Sequence, residues 1–202
     1  MRVAILGGTG KEGSGLSLRW ARREEVVIGS RQREKAERVA GEVNEKLGED
    51  LVRGLPNLDA AWEAEVAVLT VPYSAHEAIL APLGEALQGK PLIDTTVPLD
   101  PNNPTRLQTR SGRSAAEEAQ EILGPETHVA AAFQTVSFTL LQNLDHPVEG
   151  DVLICSDFDD AMEAALSLAK LCGFRALDAG QLQNARVVEG LTPMLIHINR
   201  NH

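Results

Sequence analysis

Arg2-Val3-Ala4-Ile5-Leu6-Gly7-Gly8-Thr9-Gly10-Lys11-Glu12-Gly13 stands at the start of the chain, and its reading decides the fold. Five strand-forming residues run into a glycine turn, and a helical pattern follows at 11–22. Gly8, Gly10 and Gly13 fit G-x-G-x-x-G in the strand–turn–helix setting that gives the motif its meaning. Gly8 is expected to allow the tight turn. Gly10 lets backbone approach a pyrophosphate, and Gly13 lets the helix lie against the strand. The start of that helix offers free N–H groups and the positive end of its dipole to phosphate.

The next strand selects the dinucleotide. An NAD site usually closes this strand with Asp or Glu, which bonds the ribose 2′-OH. Here the strand runs into Gly29-Ser30-Arg31, and Lys35 follows four residues on, on the same helix face. A hydroxyl and two cations in place of a carboxylate suit a 2′-phosphate. The expected cofactor is therefore NADP(H).

Working outward, β-rich runs at 2–6, 26–29, 51–53, 66–71 and 91–96 alternate with helical patterns at 11–22, 31–47, 58–64 and 75–87. That alternation predicts an α/β fold, a Rossmann-type doubly wound and mainly parallel sheet. Ser74 with Glu77, and Ser114 with Glu117, predict capping boxes. Gly48 and Gly173 sit where helices should end. Leu99 to Gly112 reads as a loop, and between Pro101 and Ala116 stand Arg106, Arg110 and Arg113 with no acidic residue. After about residue 140 a strand at 151–155, a helix at 157–172, a strand at 175–178 and a helix at 182–198 are expected. The division is residues 1–140 as a Rossmann NADP(H)-binding domain and 141–202 as a small C-terminal α/β domain. The apolar stripe Val187, Val188, Leu191, Met194, Leu195 and Ile198 reads as core or as a dimer seam.

Composition narrows the function. The 202 residues hold 19 basic and 29 acidic side chains, a net charge of −10, with 43% hydrophobic residues. This is a soluble globular composition, and its acidity argues against a nucleic-acid surface. No apolar run approaches a membrane span and no leader precedes the first strand, so a cytoplasmic protein is expected. Cys155 and Cys172 read as free thiols. The five histidines form no metal spacing, and Asp157, Asp159 and Asp160 suit a helix start better than a metal. No metal site is expected.

Dedicated acid–base machinery is not evident. The only tyrosine is Tyr73, and Glu77 four residues on rules out Tyr-x-x-x-Lys. No G-x-S-x-G is present. No catalytic residue is assigned, and direct hydride transfer to an acceptor that is itself a cofactor fits this chain.

These landmarks carry a resemblance. The glycine strand at 1–10, Gly29-Ser30-Arg31 with Lys35, and Leu69-Thr70-Val71-Pro72 are joined by Arg113-Ser114-Ala115-Ala116-Glu117, Leu177-Asp178-Ala179-Gly180, Leu191-Thr192-Pro193 and Ile198-Asn199-Arg200. Over nearly its whole length the chain resembles the F420-dependent NADP reductases. The resemblance implies hydride exchange between NADP(H) and the deazaflavin coenzyme F420, a small-molecule acceptor, usually in a homodimer. It implies that Thr9, Gly10, Lys11 and Glu12 border the pyrophosphate, and that Ser30, Arg31 and Lys35 hold the 2′-phosphate. Tyr73, Val97 and Leu99 would line the nicotinamide side, and Phe138 a further cofactor contact. Gln134 and Val136 would meet the substrate. The chain departs from a family member at Gln134, Ser137 and Phe138, where that relative has His, Pro and Ala. Two other readings stay open here: a reductase of a flavin, quinone or metal chelate, and a non-catalytic NADP(H)-binding sensor.

Overall fold

The computed structural model describes residues 1–109 and 112–202. Its elements are β1 (Arg2–Leu6), α1 (Lys11–Trp20), β2 (Glu25–Ser30), α2 (Arg33–Leu47), β3 (Val52–Pro56), α3 (Asn57–Glu63) and β4 (Val66–Leu69). They continue through α4 (Tyr73–Leu80), α5 (Gly84–Leu87), β5 (Pro91–Asp94), β6 (Leu99–Asp100), β7 (Asn103–Leu107), α6 (Ala115–Leu123) and β8 (His128–Ala131). The chain finishes with α7 (Phe138–Gln142), β9 (Asp151–Ser156), α8 (Asp159–Leu171), β10 (Arg175–Asp178) and α9 (Ala185–Asn201).

Eight strands form one sheet in the order β3-β2-β1-β4-β5-β8-β9-β10. Neighbours are parallel except β8 and β9, which are antiparallel. The expected Rossmann-type, mainly parallel sheet is therefore present. β1 lies between β2 and β4, with Val3 level with both Val26 and Val66. Because side chains alternate along a strand, Val3 and Ile5 enter one apolar layer while Ala4 and Leu6 enter the other. The first layer holds α1, α2 and α8, tied by the Trp20 indole N–H donating to Leu168 O at 2.9 Å. The second holds α3, α4, α6 and the start of α9.

Several local expectations change. The Ser114–Glu117 capping box is present, with the Ser114 N–H donating to Glu117 at 2.9 Å and the Glu117 N–H to Ser114 Oγ at 3.1 Å. The Ser74 box is not: α4 begins at Tyr73 behind Pro72, so Ser74 is already inside the helix. That helical stretch also breaks into α4, a 3-10 turn at Ala81–Leu83 and α5. Pro82 lacks the N–H that a continuous α-helix needs. The expected loop at 99–112 contains the antiparallel pair β6 and β7. Asp100 accepts from Asn102 N–H and Asn103 from Thr105 N–H, and these side-chain turns define the hairpin. β8 is a strand that the sequence reading did not include.

Segment 141–202 supplies β9 and β10, which extend the same sheet, and α9. Ser156 secures the antiparallel junction. Its Oγ donates to Val129 O at 2.8 Å and accepts from Phe158 N–H at 3.1 Å ahead of α8. Removing this hydroxyl by Ser156→Ala should cost about 1–2 kcal/mol, read as a lower urea midpoint at unchanged slope.

Candidate functional site

The carboxyl ends of β1, β4, β5 and β8 share one edge of the sheet, and the crevice above it is where ligands bind in such folds. The glycine loop forms its floor. Gly7, not Gly8, takes the left-handed conformation (φ +68°) that makes the turn. Gly8 is needed for space: its N–H donates to Ile5 O and Gly29 O, and a β-carbon there would lie 2.7 Å from Ile5 O. A β-carbon on Gly13 would meet Gly8 Cα at 2.5 Å, so α1 touches the loop through backbone alone. One on Gly10 would enter open space. No side chain caps α1, which leaves its first-turn N–H groups facing the cleft. Asn57, unnoticed in the sequence, accepts from Gly7 N–H at 3.1 Å and braces the loop from α3.

A cleft of about 720 Å³ runs along this loop, and Thr9, Gly10, Ser30, Arg31, Lys35 and Asn57 are among its lining. Among the described residues no carboxylate lines it. Among the described residues neither Arg31 nor Lys35 has an ion-pair partner, whereas neighbouring Arg33 is paired with Glu37 and Asp59. Two cations without partners, in a chain of charge −10, mark a place for an anion.

Pro72 belongs both to this cleft and to a second, more apolar one of about 590 Å³. Tyr73, Val97 and Leu99 all line the second cleft, together with Pro101 and Pro104 of the hairpin. The structure thus brings the three sequence-predicted residues together, and the unforeseen hairpin supplies the opposite wall. The Tyr73 hydroxyl donates to Glu118 at 2.8 Å.

A cluster of polar groups lies at the carboxyl ends of β5 and β8. Asp94, at the end of β5, accepts from Thr96 N–H at 2.9 Å and faces His76 Nε2 at 2.7 Å. Glu12 reaches the hydroxyl of Thr95, and burial together with the charge of Asp94 pushes its carboxyl up to about 7. Gln134 enters from the end of β8. Its side-chain N–H donates to Asp94 O at 2.9 Å, and its Oε1 is buried without a partner. Phe133, just before it, has φ +70°, a conformation costly for a bulky residue, and packs edge-on to Trp20 at 5.9 Å. This turn, closed by Val136 N–H on Phe133 O, is what aims Gln134 into the crevice.

The remaining predicted residues lie at the rim or outside. Val136 is half-buried against the core. Phe138 is exposed at the start of α7, with Lys11 Nζ 4.7 Å above its ring. Arg106 is exposed on β7 and Arg113 pairs with Glu121, while Arg110 lies outside the described residues. Asp159 and Asp160 stand in the first turn of α8, and Asp157 accepts from Leu182 N–H. Among the described residues no group could hold a metal ion. Cys155 and Cys172 are buried free thiols. Sequence reasoning also missed Glu189 on α9. It accepts from Ala115 and Ala116 N–H at the start of α6, and burial pushes it up to about 8.

Known proteins were compared with this chain. Residues 2–98 match the family model described as NADP oxidoreductase coenzyme F420-dependent. An F420-dependent NADP reductase of Methanothermobacter marburgensis is 48% identical, over 98% of this chain and 92% of its own. One of Methanocaldococcus jannaschii is 40% identical over the same shares. A crystal structure from Arthrobacter sp. FB24, provisionally named an F420-dependent NADP reductase, superposes with a TM-score of 0.82 at 26% identity, covering 97% of this chain and 92% of that one.

The environment of Glu12 has a measurable consequence. Its carboxyl rises from 4.5 to about 7 on folding, so the folded protein holds that proton more tightly than the unfolded chain. The resulting stability is complete below about pH 4.5 and is lost as pH rises through about 7. Glu12→Gln should flatten this fall by up to about 3 kcal/mol in urea unfolding followed against pH. The share due to Glu189, of the same sign and reaching about pH 8, should remain.

Proposed function

This chain belongs to the F420-dependent NADP reductase family, and from that premise we propose that it transfers a hydride between NADP(H) and coenzyme F420. When bound, the two coenzymes supply the redox chemistry, a hydride passing with both its electrons between the nicotinamide and deazaflavin rings. The protein supplies binding and orientation.

One observation carries the choice of dinucleotide. Arg31 and Lys35 stand beside Ser30 in a cleft without a carboxylate. A 2′-phosphate supplies the missing negative charge, whereas a bare ribose hydroxyl would leave both cations unanswered. Thr9, Gly10, Lys11 and Glu12 then border the pyrophosphate, in a loop shaped by Gly8 and Gly13. The open space over Gly10 fits that group. Tyr73, Val97 and Leu99 offer an apolar wall to the nicotinamide half. Gln134, Val136 and Phe138 face the acceptor side, where the unpartnered Gln134 Oε1 fits a ligand with a hydrogen-bond donor.

In this reading residues 1–140 hold the dinucleotide and 141–202 complete the acceptor pocket. Val187, Met194, Leu195 and Ile198 are exposed along α9 and suit a seam between two copies of the chain. Among the described residues no helix is long and apolar enough to cross a membrane, in keeping with a cytoplasmic enzyme.

Purified protein should oxidise NADPH, followed by absorbance, only when F420 is present. Oxidation supported by free flavin but not by F420 would overturn the choice of acceptor. Arg31→Ala combined with Lys35→Ala should raise the Kd for NADPH by about 10- to 100-fold, about 1.4–2.8 kcal/mol, and leave that for NADH nearly unchanged.

A further inference from the structure

The fold accounts for one half of the Asn57 carboxamide and leaves the other half unused. Its Oδ1 accepts the Gly7 N–H at 3.1 Å. Because that neighbour is a donor, the oxygen is the atom that faces Gly7, and Nδ2 points away from it. Gly29 makes room for the group, since a β-carbon there would stand 2.7 Å from Oδ1. Among the described residues Nδ2 bonds no protein group. Yet Asn57 is only 8% exposed, and it lines the cleft of about 720 Å³. Nor is Nδ2 sealed in the core, where the orphaned side-chain atom is Gln134 Oε1. A donor at this depth without a partner costs free energy, and a bound acceptor removes that cost.

The surroundings of Asn57 identify the acceptor. Pro56 is level with Ser30 in the β2–β3 pair, so Asn57 follows directly beside the end of β2. Ser30, Arg31 and Lys35 hold the 2′-phosphate in the reading above, and the ribose that bears it lies next to them. Val71, Pro72, Ala75 and Ile79 give the same cleft an apolar wall, which suits a purine ring. The sugar joins phosphate to purine. Asn57, between Gly7 of the loop and Gly29 of β2, stands where its oxygens would come. A carboxylate at this point would repel the phosphate, whereas a neutral amide donates to the sugar without that repulsion.

We propose that Asn57 is a dinucleotide-binding residue, its Nδ2 donating to an oxygen of the phosphorylated ribose while its Oδ1 keeps the glycine loop in shape. One side chain thereby links the loop that receives the pyrophosphate to the sugar beside it. This inference rests on the reading of the cleft as an NADP(H) site.

Nuclear magnetic resonance on the native, isotope-labelled chain tests it without turnover. The protein is titrated with adenosine 2′,5′-bisphosphate, the adenosine half alone, and separately with nicotinamide mononucleotide. The Asn57 Nδ2 protons, assigned through the backbone, should move downfield and exchange more slowly with the first and stay in place with the second. Asn57→Asp keeps an oxygen for the Gly7 N–H and replaces the donor with an acceptor. It should raise the Kd of the bisphosphate about tenfold by calorimetry. Salt screens repulsion by the new charge but does not restore a missing hydrogen bond. The ratio of variant to native Kd should therefore persist from about 0.05 M to about 0.5 M salt. Amide signals that ignore saturating bisphosphate, or that answer only to the mononucleotide, overturn the inference. So does a penalty for Asn57→Asp that vanishes in high salt. Each of these leaves the NADP(H) site standing. A native protein that binds neither the bisphosphate nor NADPH overturns the site and the inference together.

Discussion

A backbone contact at the start of the chain governs the rest of the molecule. Gly13 of α1 rests on Gly8 with no room for a β-carbon on either residue. That contact fixes where α1 leaves β1, and so where its uncapped N–H groups point. It also brings Glu12, one residue earlier, into the field of Asp94. Asn57 from α3 and Gly29 from β2 hold the same loop through hydrogen bonds to Gly7 and Gly8. A strand pair, two helices and the cleft are therefore positioned by one close approach.

The second organising feature is Asp94. It ends β5, pairs with buried His76, and its carbonyl accepts from Gln134 and from Ala132 N–H. A buried carboxylate needs such a set of partners. Its field is felt by both Glu12 and Glu189, on elements far apart in sequence. The strained turn at Phe133 delivers Gln134 to this group, and the Trp20–Phe133 contact holds that turn in place. Core packing and site chemistry meet at one residue pair.

Much of the first half was legible because its signals are local. Alternation with periods of two and about 3.6 residues reported the strands and helices, and the glycine spacing reported the turn. The misreadings were also local in origin. Ser74 has the sequence of a cap, but the helix starts two residues early, at Tyr73 behind Pro72. The prolines and asparagines at 101–104 suggest a loop, yet Asx turns and packing against α9 make them a hairpin. β8 is only four residues, His128-Val129-Ala130-Ala131, too short to announce itself until β5 and β9 flank it.

The sequence by itself determined the α/β class, the glycine loop and a second strand that ends in Ser30 and Arg31 instead of an acid. Each depends on neighbours within a few residues, where sterics and hydrogen bonding are fixed by residue type. Only the tertiary structure decided that Arg31 and Lys35 lack acidic partners among the described residues, that the hairpin walls the second cleft, and that Glu12 comes into the field of Asp94. Those outcomes depend on which groups are brought within hydrogen-bond reach and out of water. A residue such as Glu12 carries no sign of its environment along the chain, because its burial and its nearest charge come from strands eighty residues away.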